Sequence, residues 1–459
     1  MTSAAADAIV IGGGPAGSVT AGFLAQVGRR VVLFERERFP RYHIGESLLS
    51  ATLPILEALG VLPAIDAAGF VRKPGGTFIW GADAQPWSFY FRDDPGGRPH
   101  AFHVRRAEFD HLLLTHAASL GAEVREAHRV ETVESDGAMN RVVAVDGDGR
   151  SVVVSAPWVI DASGQQALLG RRDQLRQFDP FFKNLAVFGY FDGAEALNGA
   201  CAGNILSAAF GDGWFWFIPL HDGTTSVGAV VDAKRFAGAA AGDAATLYRQ
   251  LVDACAPIRQ RVAGARLVSP IRVIRDYSYC STRFHGPGYL LAGDAACFID
   301  PVFSTGVHLA CLSGYLAARS VAALLDGAAP ESALGDYDRR YRAAFERYLR
   351  FLVFFYDHHA DAESYFWTAR KILNPDLPLE ARTAFVRLMS GTGDLLGHDT
   401  ALGEELAAHH ARFGAATARG RFAASGEGGL FRVRGTLNEL NAEKDSTQMN
   451  TDPAAKTPR

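Results

Sequence analysis

Cysteine is scarce. The 459 residues hold five, Cys201, Cys255, Cys280, Cys297 and Cys311, with no CxxC pair among them. An odd, scattered set excludes a disulfide framework and a structural zinc site, so no metal is expected, and it fits a reducing cytoplasmic setting. Neither sign of charge dominates: 46 Lys+Arg against 50 Asp+Glu give a formal net charge of −4. No polycationic field gathers nucleic acid, and no nucleic-acid partner is expected. No uninterrupted apolar run reads as long enough to cross a bilayer, so no membrane association is expected. The N-terminus lacks a basic n-region and its first apolar run leads into glycines, so a secretory leader is not expected. At 48% hydrophobic and 21% charged, the composition excludes a disordered or fibrous chain. Glycine is abundant instead, with 48 residues, which suits tight turns and close approach of backbone to a ligand.

The chain opens as strand, turn, helix, strand. Ala8 to Ile11 is a short apolar strand, Gly12 to Gly17 the turn, Ser18 to Gln26 a helix, and Arg30 to Phe34 a second buried strand. A helix is predicted from Glu46 to Leu59, ended by Gly60, and another from Arg106 to Leu120, whose apolar residues share one face. Thr77–Trp80, Phe89–Phe91 and Phe102–Val104 read as short strands. Asp146-Gly147-Asp148-Gly149 marks a hairpin between Arg141–Val145 and Ser151–Val154. Trp158–Ile160 is a buried strand closing on Asp161-Ala162-Ser163-Gly164. Ala186–Phe191, Trp214–Ile218 and Ser226–Val231 form a strand-rich insertion, and Tyr289–Ala292 returns as a buried strand before Gly293-Asp294. Tyr337 to Trp367 is free of glycine and proline and reads as one long helix or two. The polar segment from 439 reads as a disordered tail.

Gly12-x-Gly14-x-x-Gly17 follows a strand and opens a helix. The first glycine permits the turn, the second lets backbone approach a pyrophosphate, and the third lets helix and strand pack closely. The helix start offers free N–H groups to phosphate, with Ala16 inside this turn, and Glu35 ends the second strand where an acid can bind ribose hydroxyls. Gly293-Asp294 and Asp161-Ala162-Ser163-Gly164 each end a later strand. Together these segments resemble the FAD fingerprints of the p-hydroxybenzoate-hydroxylase-like flavoproteins, with Asp294 on a ribityl hydroxyl. That resemblance implies an α/β fold: an FAD-binding Rossmann-like domain carrying an inserted antiparallel substrate sheet and a C-terminal helical region. The expected units are 1–335 (interleaved nucleotide and sheet module), 336–438 (helical region) and 439–459 (tail). Arg106 matches the arginine this family places near the flavin pyrophosphate. Read alone, it is equally a solvated arginine at a helix start.

Three segments narrow the chemistry. Gly213-Trp214-Phe215-Trp216-Phe217-Ile218-Pro219 matches GWxWxIP; Lys73 lies in Phe70–Phe78; and Asp300-Pro301-Val302-Phe303-Ser304-Thr305-Gly306-Val307-His308 opens a helix. With Arg41–Leu49, Ser207–Pro219 and Glu363–Trp367, these segments resemble the FADH2-dependent phenol halogenases. Within that family the chain is most similar to the tyrosine-chlorinating halogenases of glycopeptide-antibiotic pathways, which act on aminoacyl groups held on a peptidyl carrier protein. The resemblance implies FAD (as FADH2) and chloride as cofactors, a flavin reductase as partner, and a carrier protein bearing the substrate.

It also implies roles for particular residues. Trp214 and Trp216 separate flavin from substrate. Backbone N–H groups of Thr305 and Gly306 hold halide, and as a helix start the same residues read simply as an N-cap, by Ser304 or Thr305. Lys73, by default a surface loop lysine, holds hypohalous acid or forms a chloramine with it at the end of a tunnel. If the chloramine forms, the amine must be unprotonated, and desolvation moves its pKa that way. Tryptophan-acting members carry a glutamate where this chain has Phe303, so the missing acid points to a phenol or similarly electron-rich ring. His308 and Glu46 are loose candidates for the ring-deprotonating base. Arg340, Arg347 and Arg350 form a helix stripe that reads as a solvated face, with carrier docking as the alternative. The rival function is an FAD-dependent aromatic hydroxylase of the same superfamily, against which the GWFWFIP segment and the Lys73 context discriminate.

Overall fold

The computed structural model describes residues 4–81, 85–356, 365, 368–369, 372, 380–392, 400–409 and 411–412. The expected tail, and Glu363–Trp367 apart from Tyr365, lie outside the described residues.

Apolar runs with no polar alternation make strands buried on both faces, and four of them form a parallel core. In spatial order, Tyr289–Leu291, Trp158–Asp161, Ala8–Ile11 and Val31–Phe34 pair in parallel. Glu123–Arg125 extends one edge and the short His285–Gly286 strand the other, completing a six-stranded sheet. Helix Pro15–Gln26 follows the first strand, as the βαβ reading expects. The hairpin falls at its expected place, with Val145 opposite Ser151, in a separate four-stranded sheet.

The inserted sheet has nine strands. It is antiparallel except for one pairing: Ile205–Phe210 runs parallel to Gly75–Ile79. The expectation of an all-antiparallel sheet is corrected there, because those two strands are joined by a crossover through the nucleotide module rather than by a hairpin. Side chains on a strand alternate between faces. On Gly213–Pro219 the tryptophans Trp214 and Trp216 join the main core, whereas Phe215 and Phe217 join a second core that includes Tyr248 of helix Ala233–Ala254.

Residues 46–51 depart from the predicted Glu46–Leu59 helix, which begins only at Thr52. Leu48 N–H bonds to Phe102 O and Val104 N–H to Glu46 O, so tertiary pairing captures that backbone. Helix Gly306–Leu325 is long and apolar enough to span a bilayer, contrary to the reading of the sequence. It is apolar all round because it is mostly buried, between helices Pro15–Gln26 and Pro330–Phe355. The expected division at 335/336 falls inside Pro330–Phe355. That helix is tied to the parallel sheet: the Tyr337 hydroxyl donates to Leu291 O (2.5 Å) and the Tyr341 hydroxyl to Gly293 O (3.1 Å).

Candidate active site

Two helix starts border one cleft. Helices Pro15–Gln26 and Gly306–Leu325 pack closely: Thr20 Oγ1 donates to Ala16 O (2.7 Å) and lies 3.1 Å from Gly314 O. Neither helix has a side-chain cap, and Gly14, Ala16 and Gly306 all line the cleft. Uncapped helix starts present free N–H groups and a partial positive charge, which suits anions.

The three turn glycines do different work. A Cβ on Gly12, at φ +103°, would lie 2.3 Å from Ala162 O, and one on Gly17 would lie 1.9 Å from Gly12 O. Both positions are closed by the chain itself. At Gly14 the nearest atom is Arg41 Nη2 at 3.5 Å, so that side is open to a ligand. Glu35 is buried, and it steadies the turn: its carboxylate accepts from Gly13 N–H (2.7 Å) and Glu37 N–H (2.8 Å).

Arg106 is 6% exposed, which removes the reading as a solvated helix-start residue. Its guanidinium donates to both Asp110 oxygens (2.8 and 3.0 Å) and to Ile44 O (2.8 Å). Arg41 donates to the same carboxylate at 2.7 Å. Burial pushes the Asp110 carboxyl up, but the two guanidiniums overcome it and hold it down at about 2. Two cations sharing one anion leave a surplus positive charge in the wall beside Gly14, which a pyrophosphate matches. No sequence signal marks a role for Arg41; its place between Gly14 and Asp110 is a tertiary fact.

Asp294 lines the cleft, and burial pushes its carboxyl up to about 6, against Arg106 and Arg176. Among the described residues its side chain has no hydrogen-bond partner, so a ligand hydroxyl fits it. Asp161, in contrast, spends its carboxylate on Ser163 N–H (3.0 Å) and Leu169 N–H (2.7 Å), shaping the turn whose Ala162, Ser163 and Gly164 face the cleft. A wall of glycine turns, helix starts, a surplus cation and an unpartnered acid fits a dinucleotide such as FAD.

At the far end stand Trp214 and Trp216, ring centroids 6.2 Å apart, both buried and both lining the cleft. The Trp216 indole donates to Ser226 Oγ (3.1 Å). Gly228 admits that ring: a Cβ there would lie 2.2 Å from it. The Trp214 indole donates to the Tyr356 hydroxyl (2.8 Å).

Lys73 is neither in a loop nor exposed. It ends the strand Val71–Lys73, opposite Ala101, and is 2% exposed. Its ammonium donates to Leu48 O (2.9 Å), approaches Ser304 Oγ (3.4 Å), and lies 5.5 Å from the centre of the Phe91 ring. Desolvation pulls its pKa down to about 7. Lys73 itself does not line the cleft; Ser304 does, and so separates the two. Behind Ser304, Phe303 stacks on Phe351 (5.1 Å) and meets Phe355 edge-on (5.0 Å). Phe355 also meets Phe78, Trp80 and Trp87. The space around Phe303 is an aromatic compartment filled by the chain's own side chains.

Neither hydroxyl caps the Gly306 helix. Ser304, at φ +61°, faces Lys73, and Thr305 Oγ1 is buried without a hydrogen-bond partner among the described residues. Gly306 has open space where a Cβ would stand. Of the loose base candidates, Glu46 lines the cleft; burial pushes its carboxyl up, and the Tyr190 hydroxyl donates to it at 2.9 Å. His308 is buried beside Gly391, off the cleft. Arg340 is not a free surface charge, because it pairs with Asp336 at 3.0 Å.

A family model described as tryptophan halogenase matches residues 7–97 and 92–414. The chain is 38% identical over 402 residues to a tryptophan 2-halogenase of Chondromyces crocatus, covering 84% of this chain and 76% of that protein. It is 32% identical over 375 residues to a 1H-pyrrole-2-carbonyl-(peptidyl-carrier protein) chlorinase of Pseudomonas fluorescens, covering 76% and 83%. Among solved structures, the myxobacterial chondrochloren halogenase, described as a variant of FAD-dependent halogenases, superposes with a TM-score of 0.75 at 41% identity, covering 89% of this chain and 97% of that one.

Proposed function

The chain belongs to the tryptophan halogenase family of flavin-dependent halogenases, and from that premise we propose that it chlorinates an electron-rich phenolic ring, a tyrosyl group carried on a peptidyl carrier protein. The enzyme is thus an oxidoreductase that uses FAD to halogenate an aromatic compound. Fold alone does not select a substrate. The observation that carries the choice of ring is Phe303: the position before Ser304, whose hydroxyl faces Lys73, holds a phenyl ring stacked on Phe351, not an acid. A phenol supplies its own activating oxygen, so it needs no such acid. The carrier is supported by the resemblance of the sequence and by a relative whose name specifies a carrier-bound pyrrole.

Gly12, Gly14, Ala16, Glu35, Arg106, Asp294 and Gly306 are the residues that would hold FAD, with Arg41 added to them and Gly17 keeping the turn closed behind them. FAD, delivered reduced by a separate flavin reductase, supplies with dioxygen the oxidising power that turns halide into hypohalous acid. Thr305 and Gly306 hold the halide at the helix start. Trp214 and Trp216 keep the substrate ring out of the cleft, which suppresses hydroxylation. Ser304 marks the passage to Lys73. There the buried amine, its pKa pulled down to about 7 by desolvation, binds hypohalous acid or is chlorinated by it with loss of water. Either form presents electrophilic chlorine to the ring carbon ortho to the hydroxyl.

The test is mass spectrometry of tyrosyl-carrier protein incubated with enzyme, FAD, flavin reductase, NADH, oxygen and chloride, beside free phenols. A chlorine isotope pattern on the tethered tyrosine is expected. Gain of oxygen without chlorine would establish the hydroxylase instead, and chlorination of free phenols alone would remove the carrier.

A further inference from the structure

One hydroxyl outside the residues assigned so far joins three parts of the site. Tyr356 follows the last turn of helix Pro330–Phe355. Its oxygen accepts from the Trp214 indole N–H (2.8 Å) and donates to Asp300 Oδ2 (2.6 Å). Asp300 is 1% exposed and holds the turn before the halide helix, accepting from Val302 N–H (3.0 Å); Asn184 donates to its Oδ2 from the other side (3.1 Å). The wall tryptophan, the halide turn and the end of the C-terminal helix therefore share one hydrogen-bonded chain. Ring contacts continue from Tyr356 to the surface. Its ring meets buried Phe182 edge-on (5.2 Å), and Phe182 meets Phe181 (5.0 Å), which is 73% exposed.

We propose that Tyr356 is a positioning residue, a latch that holds Trp214 in the wall and so keeps the cleft sealed from solvent on the Phe182 side. The proposal rests on the halogenase reading of the site and adds how the oxidant is retained. A buried indole N–H loses its acceptor among the described residues if this hydroxyl is removed, and the ring regains rotamers that open the wall. Escaping hypohalous acid then reacts outside. A 1,3-diketone trap exchanges its acidic C–H hydrogen for chlorine, and the hydroxyl leaves as water, so no further oxidant is needed.

The experiment compares wild type, Tyr356→Phe and Asn184→Ala. It measures halide-dependent chlorination of a dissolved 1,3-diketone, chlorination of the substrate ring, FAD affinity, and the indole N–H resonances of ¹⁵N-tryptophan-labelled protein. Tyr356→Phe is expected to shift one indole resonance and to keep FAD affinity. Trapped chlorine should rise several-fold while ring product falls. Asn184→Ala, which loosens Asp300 but spares the Trp214 bond, should leave the trap yield at the wild-type level. Loss of ring product in Tyr356→Phe with no gain in trapped chlorine would overturn the latch, as would an equal leak from Asn184→Ala. A wild-type enzyme giving no halide-dependent product on any electron-rich ring would overturn the halogenase reading itself, and the latch with it.

Discussion

The two ends of the site are built from different materials. The dinucleotide end is backbone: glycine turns, two uncapped helix starts, and carboxylates spent on N–H groups. The lysine end is side chain: Lys73 and Phe91 from one segment, Phe303 and Ser304 from another, Phe351 and Phe355 from a third, packed against one another. The first end is an open cleft. The second is filled. A backbone cradle can stand ready for a ligand, because its N–H groups are held in place by the helices behind them. An apolar compartment is held by ring-on-ring packing, since exposed aromatic surface is costly.

That contrast can be broken at either end. The largest effect is expected from Gly17→Ala. Its methyl group would overlap Gly12 O, so helix and strand must separate; loss of FAD binding and a cost of more than about 3 kcal/mol in denaturant unfolding are expected. Gly306→Ala, where a Cβ would meet no protein atom, should fold with wild-type stability. If Gly17→Ala binds FAD normally, the backbone account of the cleft is wrong. Next comes Phe355→Ala, which removes the ring that meets Phe303, Trp80 and Trp87. Truncation of a buried phenylalanine costs about 3–5 kcal/mol. The space created should admit bulkier phenols, read as a lower KM for them, with FAD affinity unchanged. A uniform loss across substrates would mean that this compartment does not receive the ring.

The smallest effect is one of pH. Burial lowers the Lys73 pKa to about 7, so the neutral amine is lost as pH falls below that value. Ring halogenation should drop up to tenfold per unit below about pH 7 and level off above it, while oxidation of reduced flavin does not follow that limb. The same burial makes the fold less stable at low pH. Between about 7 and the ordinary lysine value the unfolded chain holds the proton and the folded chain does not, so stability rises with pH across that window.

Legibility in the sequence follows the same division. The βαβ unit, the glycine turn, Glu35 and the late Gly293-Asp294 strand were readable because backbone geometry demands particular residues at fixed spacings. Trp214 and Trp216 were readable as a motif, and strand alternation explains why the intervening phenylalanines go to another core. Lys73 was flagged only by resemblance; its own surroundings, before Pro-Gly-Gly, read as a surface loop. Its burial depends on Leu48, Ser304 and Phe91, which no local pattern joins to it. The helix starts at Thr52 rather than Glu46 because long-range pairing with Phe102 and Val104 overrides helix propensity. Tyr356 carried no signal at all, since a tyrosine at a helix end becomes a latch only through Trp214 and Asp300.

The central claim is that oxidant is made at the backbone end and used at the lysine end. Lys73→Ala tests it most directly, with FAD affinity, halide-dependent chlorination of a dissolved trap and ring chlorination measured on the same preparation. FAD affinity and trapped chlorine should persist, while ring chlorination falls by about 10²-fold or more, the scale of a lost catalytic acid–base group. Ring chlorination at the wild-type rate in Lys73→Ala would contradict the account.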